Sequence, residues 1–74
     1  MEMNGLNVLL FKTNIRTESD KQFMTQLMQQ NEISHWTVDQ EDVDCVLRIV
    51  SNELQLQDVI ALVSQHGYHC EELT

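Results

Sequence analysis

The sequence predicts a small α+β domain of order βαββαβ, two helices against one face of a four-stranded antiparallel sheet. Three observations carry this prediction. Phe23-Met24-Leu27-Met28 and Leu56-Val59-Ile60-Val63 each form one apolar stripe at helical spacing. Val8-Leu9-Leu10-Phe11 and Val46-Leu47-Arg48-Ile49-Val50 are short runs rich in branched side chains, as strands are. No proline, linker or repeat interrupts the 74 residues, so nothing argues for a second domain.

Residues 1–5 carry no period and are expected as a flexible start, leaving a single domain over residues 6–74. From Leu6 to Ile15 the chain reads as a strand apolar on both faces, hence central in its sheet. Thr17-Glu18-Ser19-Asp20 has the spacing of a capping box, with Asp in place of the longer Glu or Gln, and opens a helix that Asn31 closes. Ile33, Trp36 and Val38 lead into the acidic turn Asp39-Gln40-Glu41-Asp42, after which Cys45 to Val50 completes a hairpin. A second helix spans about Gln55 to His66, with Gly67 as its left-handed stop. Tyr68 to Leu73 alternates as a last, partly polar strand suited to a sheet edge. Two right-handed connections of this kind make a ferredoxin-like sandwich with sheet order 4-1-3-2. Its core would gather Leu9, Phe11, Ile15, Phe23, Leu27, Ile33, Val38, Leu47, Ile49, Val59, Ile60 and Val63.

Four basic and 12 acidic residues give a formal charge of 4 − 12 = −8, without the basic footprint that binds nucleic acid or anionic lipid. The longest apolar run is far too short to span a bilayer and no signal-peptide pattern precedes it, so no membrane association and a cytoplasmic setting are expected. Cys45 and Cys70 would lie about 10 Å apart across two strand spacings, beyond disulfide reach, and are expected as free thiols.

Several short motifs resemble the heavy-metal-associated domain family of small copper chaperones and copper-transporting ATPase modules. Phe11-Lys12-Thr13-Asn14-Ile15 resembles the first strand and loop of a bacterial branch of that family. Trp36-Thr37-Val38-Asp39, Val46-Leu47-Arg48-Ile49 and Gly67-Tyr68 fall where that branch has its second strand, third strand and terminal Gly-aromatic pair. The resemblance implies the family fold over nearly the whole chain. It also implies two cysteines on the loop that opens the first helix, yet Thr17 and Asp20 occupy those positions here. A hydroxyl and a carboxylate are hard oxygen groups, unsuited to Cu(I), so the family's copper transfer does not carry over. What the spacing retains is a helix cap.

His66, His69 and Cys70 are of zinc- or copper-ligand type, but His69 and Cys70 are strand neighbours and point to opposite faces. The resemblance implies an inward-facing small residue at the position of Cys70, which then reads as a buried thiol behaving as a small hydrophobe, with His69 outward-facing. The acidic residues Asp39, Glu41, Asp42 and Asp44 lack the glycine and closing glutamate of a calcium loop and read as a solvated turn. No nucleophile has a visible relay, and no catalytic residue or cofactor is expected.

By parity Val8, Leu10, Val46 and Val50 point away from the helices, as an apolar patch rimmed by Lys12, Arg48, Thr37 and His69. The leading expectation is therefore a non-catalytic domain without the family's metal-binding cysteines that acts by protein-protein contact, with another protein or as a homodimer through this face. The alternative is a zinc or copper sensor or scavenger in which His66, His69 or His35 replace the lost thiolates.

Overall fold

A computed structural model describes residues 7–74. The expected flexible start at residues 1–5 lies outside them. Six elements follow one another: β1 (Asn7–Thr13), α1 (Glu18–Gln30), β2 (Trp36–Asp39), β3 (Val46–Ser51), α2 (Leu56–Ser64) and β4 (Cys70–Glu72). All pairings are antiparallel, and from one edge the strands run β2-β3-β1-β4, or β4-β1-β3-β2 from the other. The result is a small α+β domain with the two most apolar strands in the middle of its sheet.

Alternation explains the layering. In β1 Leu9, Phe11 and Thr13 are buried, and in β3 Leu47 and Ile49 are buried, while the intervening residues are half-buried or exposed. Register pairs Leu9 with Ile49 and Phe11 with Leu47, so these side chains make one continuous apolar surface. Met24, Leu27 and Met28 of α1 and Val59 and Val63 of α2 close over it, which places both helices on the same face.

Helix ends are fixed by local chemistry. Thr17 Oγ1 accepts the Asp20 N–H at 3.0 Å and Asp20 Oδ2 accepts the Thr17 N–H at 3.0 Å, a complete capping box despite the short Asp side chain. At the other end Ile33 N–H reaches Met28 O at 2.8 Å and Glu32 N–H reaches Gln29 O at 3.1 Å, a Schellman motif. Glu32 holds its left-handed position at φ 60° without being glycine. Helix α2 begins where the Gln55 N–H donates to Asp58 Oδ2 at 3.0 Å. It ends at Ser64, two residues before the expected His66, and a turn then runs to Gly67 at φ 86°.

Several expected details need correction. β1 stops at Thr13, and Ile15 is buried from the loop rather than from a strand. Cys45 stands just outside β3 at φ 43°, so it enters the core from a turn and not by strand parity. β4 is shorter than Tyr68 to Leu73, although Leu73 N–H still bonds Leu10 O at 2.9 Å. Phe23 is 38% exposed instead of buried: the centre of the α1 stripe falls on Met24, Leu27 and Met28, and Phe23 lies at its margin. Val38 and Ile60 are half-buried at the edge of the core.

Candidate functional site

Two regions have the residues that could carry function, the entrance to α1 and the sheet face away from the helices. The first contains Thr17 and Asp20.

At the helix entrance every polar group of the Thr17-Asp20 pair is engaged. Besides the capping box, Asp20 Oδ2 accepts the Arg16 N–H at 3.1 Å, and Asp20 Oδ1 accepts the Tyr68 hydroxyl at 2.9 Å. The Thr17 N–H first, then the Tyr68 hydroxyl and the Arg16 N–H, hold the Asp20 carboxyl below its ordinary value of 3.8. Burial, and then the Asp20 carboxylate beside it, push the Tyr68 hydroxyl above its ordinary value. Gln40, from the acidic turn, donates through Nε2 to Thr17 O at 2.8 Å and so latches the hairpin onto the loop. Beneath the loop, buried Thr13 donates through Oγ1 to Cys45 O at 2.6 Å and accepts the Ile15 N–H at 3.2 Å. Chemically this arrangement does one thing: it uses its oxygens on backbone donors and side chains of the same chain. Sequence spacing makes the Thr17-Asp20 box visible, but the Tyr68 and Gln40 contacts span 48 and 23 positions and leave no local signal.

The metal-ligand types do not converge. The His66 ring stands edge-on to Phe23, with centroids 5.3 Å apart, and His69 Nε2 contacts Glu71 Oε2 at 2.7 Å. His35 lies at the opposite end of β3, where its carbonyl accepts the Val50 N–H at 2.9 Å. Among the described residues no group of three or more His, Cys, Asp or Glu could hold an ion together. Cys45 and Cys70 are both free and buried. Burial pushes the Cys70 thiol up to about 11, so it is a neutral thiol at pH 7 and a poor nucleophile or ligand. In the hairpin turn the acids cap their own loop: Asp39 Oδ1 accepts the Glu41 N–H at 3.1 Å and Asp42 Oδ1 the Asp44 N–H at 2.8 Å.

The second region is the other face of the sheet. Register sets its residues in rows across the strands. Val8 pairs with Val50, and the His35 carbonyl bonds the Val50 N–H. One step along, Thr37 pairs with Arg48 and Arg48 with Leu10, while Leu73 bonds Leu10 from the β4 side. A further step brings Asp39 beside Val46, and Lys12 beside Glu71. Val8 is 52% exposed, and Leu10, Val46 and Val50 are half-buried. Arg48, expected on the rim, stands between Val46 and Val50 along its own strand, with Leu10 of β1 on one side and Thr37 of the edge strand β2 on the other. It is exposed, and among the described residues no hydrogen bond or ion pair engages its guanidinium. Leu73, whose N–H bonds Leu10 O at 2.9 Å, lies beside this face too and was not among the residues expected there.

Comparison of the chain with family models, with curated proteins and with solved structures finds no match. The family resemblance therefore rests on the short motifs alone.

Proposed function

We propose that this protein is a non-catalytic, ferredoxin-like domain resembling the heavy-metal-associated family, without its metal-binding cysteines, that works in the cytoplasm by binding another protein chain through its sheet face. One observation carries the reading. Val8 is half exposed on a central strand, next to Val50 and Leu10, where solvation of aliphatic side chains is least favourable and a partner would bury them. The helix entrance supports it from the other side, since the oxygens at the family's cysteine positions are taken up in capping α1. The acidic surface argues against nucleic acid and anionic membranes as the partner, and no helix among the described residues is long and apolar enough to cross a membrane.

The test is site-specific photo-crosslinking in living cells with the photoreactive residue at Val8 or, for comparison, at Gln26 on the exposed side of α1. A discrete adduct from Val8 and none from Gln26 is expected. Adducts from both positions alike, or from Gln26 alone, contradict the reading.

A further inference from the structure

The sheet face differs from the rest of the molecule in charge as well as in polarity. Its rows include two cations, Lys12 and Arg48, and two acids, Asp39 and Glu71, so it is formally neutral. The described residues have a formal charge of 4 − 11 = −7, and all of that excess therefore lies off these rows. The rest of the described surface carries a net acidic excess that opposes its approach to a second copy, whereas sheet against sheet brings formally neutral, apolar surfaces together. A basic partner, by contrast, would be drawn to the acidic remainder of the chain and away from this face.

Arg48 adds a requirement. Any cover over Val8, Leu10, Val46 and Val50 also removes water from the guanidinium in their midst, and a desolvated cation without a carboxylate opposes binding. The same face has both kinds of group: Asp39 uses Oδ1 on the Glu41 N–H and Glu71 uses Oε2 on His69, so a second copy presents the other oxygen of each carboxylate to meet Arg48. We propose that the sheet face closes on a second copy of this chain in a two-fold dimer, with Arg48 of each protomer paired to an acid from the other's face. This rests on the sheet-face reading above and specifies its partner. Isologous contact of one patch with itself is the commonest way such chains pair. Strands of seven, four, six and three residues, about 4.8 Å apart and rising roughly 3.3 Å per residue, give a face of about 300 Å² per copy. Two such faces fall below the size of a standard stable interface, so the dimer is transient and forms at high concentration.

Sedimentation equilibrium of the full chain from about 10 µM to about 1 mM reads the association directly. Reversible dimerisation is expected, weakened at least roughly tenfold by Val8→Asp and by the pair Asp39→Asn with Glu71→Gln, and unchanged by Gln26→Glu. Circular dichroism of each variant checks that it is folded. A wild-type chain that stays monomeric up to the highest concentration overturns the second copy as partner; a Val8 crosslink to a different protein would then still uphold the sheet-face reading. A dimer indifferent to Val8→Asp but weakened by Gln26→Glu overturns both. A dimer sensitive to Val8→Asp but not to loss of the two acids overturns the pairing of Arg48.

Discussion

The entrance to α1 and the open sheet face differ in how completely their side chains are used. At the entrance Thr17, Asp20, Tyr68 and Gln40 form a closed set of hydrogen bonds between parts of the chain far apart in sequence. On the sheet face Arg48 has no partner among the described residues, and Val8 is half exposed. A region whose polar groups are all satisfied internally stabilises the fold and has little left for a ligand, while one with unused groups around apolar surface gains by being covered. Substitutions should therefore separate the two regions, the first through stability and the second through association.

The largest effect is expected beneath the entrance. Thr13→Val removes a buried hydroxyl and leaves the Cys45 carbonyl and Ile15 N–H without their partner, at a cost of about 3 kcal/mol. Urea denaturation measures it, and a change under about 0.5 kcal/mol would mean the entrance is not held together from below. Thr17→Ala removes the cap acceptor and should cost about 1 kcal/mol by the same measurement.

The same comparison can be sharpened by introducing at the entrance the thiol pair that the proposed resemblance implies. Thr17→Cys combined with Asp20→Cys sets two thiols at a helix start, where the helix dipole lowers their pKa. One equivalent of Hg(II) is expected to bind, seen in thiolate-metal absorption, and to raise the thermal midpoint of the double variant by binding only its folded form. A folded variant that gains no soft-metal site would show that Thr17 and Asp20 do not correspond to the family's cysteines.

Acid titration gives the smallest effect. Because Asp20 ionises more readily in the folded chain than its ordinary 3.8, its contribution is fully present above that value and is lost as pH falls through the lower folded value. Wild type should thus be more stable than Asp20→Asn at pH 6, and the two should converge below pH 3.8. A gap that persists unchanged in acid would mean the carboxylate charge is not what the entrance uses.

What could be read from the sequence follows the distance over which each feature is determined. The alternation of Leu9 and Phe11 against Val8 and Leu10, and of Leu47 and Ile49 against Val46, Arg48 and Val50, is set by the two-residue period of a strand and is visible in the chain itself. The Thr17-Asp20 box is equally local. Phe23 is 38% exposed although it belongs to the apolar stripe, because a stripe of four apolar residues does not reveal which of them lies at its centre. Cys45 reached the core through a left-handed turn, which spacing alone does not encode. The Tyr68 contact with Asp20 depends on which segments the fold brings together across 48 positions, so it is apparent only once the sheet is assembled.

The most direct measurement of the division between the two regions is a pair of single substitutions read in two ways. Val8→Asp and Thr17→Ala would each be followed by urea denaturation and by sedimentation equilibrium at about 1 mM. Thr17→Ala is expected to lose about 1 kcal/mol of stability while associating as wild type does. Val8→Asp, at a site already 52% exposed, is expected to stay within about 1 kcal/mol of wild type in stability while association is lost. The opposite pattern, with association lost in Thr17→Ala and kept in Val8→Asp, would place the contact at the helix entrance and contradict the assignment of function to the sheet face.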